Sequence, residues 1–247
     1  PFRAQATLGK HLGHLLAKID RKGLHTTDVN SRLAFPNLTA KERQTFIRAN
    51  YESAGMSIIE TATAWFNPQR RFQHLLAIEG LDIFEQARAT GRGIILASAH
   101  LGCLEIAGQI FSGRYPVGVM YRPQKLAIID AFAKYYRHQF YHEIIGRDDL
   151  RGLIRTLKKG NTVWYTPDID AGLRNSVFAP FFGIPTATLT TTSRLAASTN
   201  AIVIPTFFYR KANGEGYQLI FKDPLANFPS GDDIKDAHTL NAAIEAA

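Results

Sequence analysis

The 247-residue sequence contains one cysteine and no long apolar run. Cys103 cannot form an intramolecular disulfide, and no cluster of residues has zinc-ligand spacing, so neither disulfides nor metal is expected to hold the fold. No stretch reaches the eighteen or so apolar residues of a transmembrane helix, and no signal peptide is recognisable. The chain begins at Pro1 without a methionine and stops at Ala247 inside a helical pattern, which favours a segment trimmed at both ends.

Several catalytic signatures are also missing from the sequence. It has no Gly-x-Ser-x-Gly nucleophile elbow, no Walker loop, no Rossmann glycine signature and no His-Glu-x-x-His pair. Nor do aromatic residues alternate with basic ones on any predicted strand, as they do in many RNA-binding sheets. We therefore predict no metal, no cofactor and no nucleic-acid partner.

Positive charge is in excess. Lys and Arg number 29 against 21 Asp and Glu, a formal net charge of +8 and a pI near 9.6. Such a balance favours an anionic partner such as a phosphorylated lipid, an acidic carrier protein or nucleic acid, although charge alone also fits an ordinary basic soluble protein. The length and the 45% hydrophobic content are sufficient for one large domain with a substantial core.

The order of predicted elements indicates a single α/β domain over residues 1–247. Residues 1–66 are mainly helical, and Thr39 with Glu42 forms a capping box that opens a helix to about Phe66. Residues 79–221 alternate helices with strands, which predicts a layered domain with a central, mostly parallel sheet flanked by helices. The predicted strands are 94–99, 117–121, 162–166, 201–208 and 216–221, and the main helices are 81–90, 125–142, 151–159 and 187–199.

A histidine and a glutamate five residues apart occur three times in the chain. On a continuous helix such residues diverge, and the pair His138–Glu143 lies in a helical pattern, while His74–Glu79 leads towards a helix start. Only His100 ends a buried apolar run, with Gly102 free to turn the backbone before Glu105. A histidine oriented by a carboxylate can take a proton from a hydroxyl, so we predict a base, His100, and its partner, Glu105.

Other candidates follow predicted strands or lie on the next helix. Arg122 follows strand 117–121, and Asp168 and Asp170 follow strand 162–166, so all should meet His100 at the carboxyl edge of a parallel sheet. Arg137 could bind an anion or belong to a solvated helix face with scattered basic residues, and Arg174 could also bind an anion. The two aspartates could fix an arginine such as Arg174, cap a helix or, least favoured, bind a metal.

Two further features leave alternatives open. Cys103 is either a nucleophile or, as the better interpretation, a small apolar residue that packs the helix start. The basic positions of residues 151–159 favour an ordinary polar face over a docking surface for an acidic protein. The aromatic, turn-rich segment Phe178–Pro185 is costly to expose, so it is predicted either to pack against the domain or to line an apolar, acyl-chain slot.

Taken together, the blocks His-x-x-x-x-Glu, Tyr121-Arg-Pro123, Pro167-Asp-Ile-Asp-Ala-Gly172 and Pro180-Phe-Phe-Gly-Ile-Pro185 resemble the bacterial lipid A biosynthesis acyltransferases. The likeness covers nearly the whole chain, from Arg32-Leu-Ala-Phe-Pro36 onward. Relatives often carry Asn-Trp where this chain has Cys103-Leu104, and the related glycerolipid enzymes usually have Asp in place of Glu105.

The resemblance implies transfer of a fatty acyl chain from acyl carrier protein to a hydroxyl of a lipid A precursor. It also implies an N-terminal membrane anchor, contact with the membrane surface, and a place on the cytoplasmic face of the inner membrane. His100 would be the general base, with Arg137 and Asp168 in the surrounding polar site. The alternatives are a glycerophospholipid acyltransferase, an acyl-thioesterase with the same two residues, and a non-catalytic module that binds anionic lipid.

Overall fold

The computed structural model describes residues 2–67, 73–169, 172–211 and 216–246. The helices are α1 (Phe2–Ile19), α2 (Arg21–Ala34), α3 (Ala40–Phe66), α4 (Leu81–Ala89), α5 (Leu104–Ser112), α6 (Ala127–Phe140), α7 (Leu150–Lys158), α8 (Thr191–Thr199) and α9 (Asp233–Glu245). The strands are β1 (Leu76–Glu79), β2 (Ile94–Ala97), β3 (Val117–Tyr121), β4 (Glu143–Gly146), β5 (Thr162–Tyr165), β6 (Ser176–Phe181), β7 (Ile184–Leu189), β8 (Ile202–Arg210) and β9 (Tyr217–Phe221).

Seven strands form one sheet in the order β1-β9-β8-β2-β5-β3-β4. Neighbouring strands are parallel except β8 and β9, which are antiparallel. The mostly parallel sheet with helices on both faces confirms the predicted fold class. Strand β2 lies at its centre, and all four of its side chains are buried, as expected for a strand covered on both faces.

The two faces of β2 belong to two separate cores. Ile94 and Leu96 pack with residues of α3, α4 and α5, such as Phe84 and Phe111. Ile95 and Ala97 pack on the other side with residues of α7, α8 and α9, of which Leu157 is completely buried. Because strand side chains alternate between faces, β2 contributes to both cores at once.

The first three helices lie beside the sheet, and α1 runs antiparallel to α3. The predicted capping box at Thr39 is confirmed. The backbones of α1 and α3 are in close contact, because a Cβ added at Gly55 would lie 2.1 Å from the Gly9 carbonyl oxygen. Within the described ranges, none of the helices is long and apolar enough to cross a bilayer.

Part of the secondary-structure prediction was wrong. The segment predicted as the start of helix 187–199 is instead strand β7, and α8 begins at Thr191. Thr186 and Thr188 alternate with Ala187 and Leu189, a period-two pattern, and β-branched residues weaken a helix. Helix α6 ends at Phe140, and Glu143 begins β4. Helix α2 and strand β1 are not among the elements predicted from the sequence.

The predicted acyl-chain slot at Phe178–Pro185 is also not found in this position. This segment belongs to the β6–β7 hairpin, which packs against α9. The side chain of Asn241 donates to the Pro180 carbonyl at 2.9 Å, and the Phe182 amide donates to the Glu245 carboxylate at 2.8 Å. The hairpin therefore buries its inner face on a helix, while Phe178 stays exposed.

Candidate active site at the carboxyl edge of the sheet

Three adjacent parallel strands, β2, β5 and β3, end at the same edge of the sheet. The register pairs Ala97 of β2 with Tyr165 of β5. His100 and Asp168 each follow three residues later, so the two side chains leave the edge at equivalent positions. Neighbouring strands therefore bring together two residues that are 68 positions apart in the chain.

Asp168 holds His100 through both the backbone and the ring. The His100 amide donates to one Asp168 carboxylate oxygen at 2.8 Å, and the ring Nδ1 lies 2.6 Å from the other. Because an ionised carboxylate only accepts hydrogen bonds, this contact favours the neutral tautomer with the proton on Nδ1, in which Nε2 is the acceptor. Nε2 lies 3.3 Å from the Thr166 hydroxyl, and 46% of the His100 side chain is exposed, so a substrate hydroxyl can reach it.

The expected pairing of His100 with Glu105 is not found. Glu105 instead accepts hydrogen bonds from Nε and Nη2 of Arg137 at 3.0 and 2.6 Å, and from the Trp65 indole at 3.0 Å. The reason is the turn at residues 98–103, which sends the His100 ring towards β5. Glu105 lies in the first turn of α5 and faces α3 and α6.

The Glu105–Arg137 pair keeps a charged guanidinium in a largely buried place. Burial alone would lower the pKa of Arg137, but the hydrogen bonds and negative charge of Glu105 raise it above its ordinary value. The guanidinium also lies over the Tyr121 ring, 5.2 Å from its centroid. Arg137 is therefore a fixed cation of the interior, and the interpretation of this residue as part of a solvated helix face is wrong.

Glu105→Gln is expected to lower the free energy of unfolding by about 3 kcal/mol, because it leaves the buried Arg137 charge without its counter-ion. For a chain of this size the melting temperature should fall by about 6 °C or more. Thermal unfolding followed by circular dichroism measures this change. The control is Asp233→Asn, which breaks an exposed ion pair with Arg194 and should cost less than about 1 kcal/mol. Equal losses in the two variants would contradict a buried pair.

Cys103 is a packing residue at the start of α5. Its side chain is buried, and the thiol donates to the Phe208 carbonyl at 3.6 Å. Burial raises the pKa of this thiol to about 12, so the thiolate form that nucleophilic catalysis needs is scarce near neutral pH.

Cys103→Ala is expected to keep kcat within about twofold of the wild-type value, because the thiol takes no part in bond making. A steady-state assay with the purified variant tests this. Alkylation of the native wild-type protein by iodoacetamide should be slow, and exposure of the thiol in denaturant provides the matched fast control. Loss of activity in Cys103→Ala at unchanged stability would restore the nucleophile interpretation.

The remaining predicted site residues occupy different surroundings. Arg122 is exposed at the end of β3 and lines a cleft with Lys125. Arg174 is exposed in the turn before β6. Asp170 lies outside the described residues. Within the described ranges, no group of three or more His, Cys, Asp or Glu side chains is arranged to hold a metal ion.

Sequence reasoning missed a largely buried polar cluster that contacts the turn after His100. Arg210 at the end of β8 donates to both carboxylate oxygens of Glu60 at 2.7 Å, and to the hydroxyls of Ser53 and Ser57 at 2.6 and 2.9 Å. A Cβ added at Gly102 would lie 2.6 Å from the Ser57 hydroxyl, so glycine lets the turn rest on this cluster. The spacing of residues 53, 57 and 60 on one face of α3 was the available signal.

Comparison with known proteins places the chain in a family. The sequence-family model of the bacterial lipid A biosynthesis acyltransferases matches residues 1–247. The lipid A biosynthesis lauroyltransferase of Escherichia coli K12 is 35% identical over 99% of this chain and 80% of its own length. The lipid A biosynthesis palmitoleoyltransferase of the same organism is 32% identical with the same coverage. The solved 1-acyl-sn-glycerophosphate acyltransferase PlsC from Thermotoga maritima aligns at 13% identity over 100% of this chain and 95% of that chain, with a TM-score of 0.41.

The family model and the two Escherichia coli relatives define an acyl-transferring enzyme. The chain belongs to the bacterial lipid A biosynthesis acyltransferases. The family predicted from the sequence blocks is thereby confirmed, and an acyltransferase of lipid A biosynthesis is favoured over a non-catalytic module that binds anionic lipid.

Proposed function

We propose that the protein transfers a fatty acyl chain from acyl carrier protein to a hydroxyl of a lipid A precursor, with His100 as the general base. The observation that carries this proposal is the contact between His100 Nδ1 and Asp168. It leaves Nε2 exposed and ready to accept a proton. The names of the relatives, lauroyltransferase and palmitoleoyltransferase, support acyl transfer in the same process.

In the proposed reaction, the acceptor hydroxyl takes the place of the Thr166 hydroxyl next to Nε2 of His100. As the acceptor oxygen attacks the thioester carbonyl, its proton passes to Nε2, and Asp168 stabilises the imidazolium that forms. The tetrahedral intermediate then expels the carrier thiolate. The imidazolium returns the proton to this sulfur, so an ester and a free thiol are the products.

An apolar groove next to Glu105 supports a long-chain substrate. The groove of about 450 Å³ lies between α3 and α6. One of its walls is Trp65, whose indole donates to Glu105, so this one side chain connects the groove wall with the Glu105–Arg137 pair. Apolar walls that end at a few fixed polar groups suit an acyl chain with a polar reacting end. Its lining residues are Ser57, Ile58, Thr61, Ala62, Trp65, Phe66, Ile129 and Phe132.

The proposed roles of Glu105 and Arg137 follow from this position. Glu105 holds the guanidinium in place, and Arg137 supplies positive charge near the carbonyl or phosphate end of a substrate. Arg122 adds exposed positive charge at the end of β3, and Arg174 adds exposed positive charge in the turn before β6; both suit an acidic carrier protein and a phosphorylated acceptor. We further propose that the enzyme works on the cytoplasmic face of the inner membrane, as its resemblance to the family implies.

Acyl transfer can be tested with purified protein and acyl-carrier-protein thioester. Three acceptors are compared by mass spectrometry: a lipid A precursor, glycerol phosphate, and water alone. We expect one acyl chain to be added to the lipid A precursor, faster than to glycerol phosphate and faster than thioester hydrolysis. Preferred use of glycerol phosphate, or hydrolysis without transfer, would overturn the proposal. The mass of lipid A from cells with and without the gene gives an independent check.

A further inference from the structure

Large apolar side chains are exposed where α3 ends and α6 begins. Phe66 at the end of α3 is 64% exposed, and Leu126 and Ile128 at the start of α6 are each 67% exposed. Phe132 and Tyr135 follow on α6 at 42% and 63%. We call these five residues the apolar lip. Isolated exposed apolar residues are common, but a contiguous group of this kind marks a surface that contacts a partner or a lipid phase.

The apolar lip is continuous with the apolar groove between α3 and α6. The rings of Phe66 and Phe132 are 6.3 Å apart, and both line the groove. Ile129 lines this groove and also the neighbouring cleft, in which Leu126 lies beside Arg122 and Lys125. A lipid that touches the lip is therefore next to both the mouth of the groove and two cations.

The charge around the lip favours an anionic lipid surface. Among the described residues, no carboxylate lies within ion-pair distance of Arg122 or Lys125. The local acid, Asp130, already accepts hydrogen bonds from the Gln124 amide and the Tyr121 hydroxyl, and pairs with Lys134 at 2.8 Å. These contacts also fix the connection between β3 and α6. A rigid apolar surface flanked by free cations is suited to the interface of a bilayer with anionic headgroups.

We propose that the apolar lip inserts into the surface of an anionic bilayer, with Arg122 and Lys125 on its headgroups. The lip then opens the groove directly onto the acyl region of the membrane, so a lipid acceptor reaches the site without passing through water. This proposal rests on the proposed function, since it assigns the route by which the lipid substrate arrives. A second copy of this chain and another protein segment are the competing occupants.

Vesicle binding tests the proposal with the variant Ile128→Gln/Tyr135→Gln, because these two side chains belong to the lip but not to the groove lining. The matched control is Phe178→Gln/Ile234→Gln, which removes two equally exposed apolar side chains from the β6–β7 hairpin and α9. The probe is flotation with phosphatidylcholine vesicles, with or without phosphatidylglycerol. We expect wild type and control to bind the anionic vesicles, and the lip variant to bind at least about tenfold more weakly.

Activity provides the second measurement. The lip variant should lose at least about tenfold in rate when the acceptor is embedded in vesicles, and should match wild type when the acceptor is dispersed in detergent. Equal vesicle binding by all three proteins, or a wild-type dimer in light scattering that the lip variant alone abolishes, would overturn the membrane assignment. Failure of the wild-type protein to transfer acyl chains in detergent would instead refute the proposed function.

Discussion

His100→Ala is expected to lower kcat by about 10²–10⁴-fold, because it removes the group that takes the proton from the acceptor hydroxyl. The fold should survive, since the side chain is 46% exposed and its loss opens no interior cavity. A steady-state assay with saturating acyl-carrier-protein thioester measures kcat, and circular dichroism with thermal unfolding measures the fold.

The matched control is His138→Ala. His138 has a glutamate at the same spacing in sequence, yet it is exposed on α6. This variant should keep kcat within about twofold of wild type, as expected for a surface substitution. If His100→Ala kept more than a tenth of the wild-type kcat, His100 would not be the base.

Asp168→Asn is expected to lower kcat by about 10²–10⁴-fold with little change in stability. The amide oxygen can still accept from the His100 backbone, but the amide NH₂ donates towards Nδ1. The ring then carries its proton on Nε2, where it can no longer accept one from the substrate. The variant changes the position of the proton on the neutral His100 ring and not the charge of the ring. Raising the pH should therefore not restore the rate.

Asp148→Asn is the control for this substitution. Asp148 is 93% exposed and forms only a long ion pair with Arg147, so its loss should leave kcat unchanged. If Asp168→Asn stayed within about threefold of wild type while Glu105→Gln lost all activity at unchanged stability, Glu105 rather than Asp168 would be the functional partner of His100.

The sequence was sufficient for the fold class and for the edge of the sheet on which the site lies. The apolar run that ends at His100 and the one that ends before Pro167 are both local patterns, and parallel strands gather their carboxyl ends at one edge. The sequence was not sufficient to predict the order of the strands in the sheet. The contact between His100 and Asp168 exists because β5 pairs directly with β2, and this long-range pairing leaves no mark in either segment.

The prediction that Glu105 pairs with His100 was wrong for a related reason. Five residues separate His100 from Glu105, but the turn between them rests on the Arg210 cluster and sends the two side chains in different directions. The positions of Gly102 and Ser57 therefore matter as much as the spacing. Arg137 likewise could not be distinguished from a solvated cation until α6 was placed against α5.

In the proposed mechanism Asp168 acts only through His100, and a double-mutant cycle measures this dependence. The values of kcat are determined for His100→Ala, Asp168→Asn and the double variant under identical conditions. We predict that the double variant is no slower than His100→Ala alone, within about twofold, because an aspartate that only orients the ring has nothing to act on once the ring is gone. Losses that multiply in the double variant would show that the two residues act independently and would contradict the account.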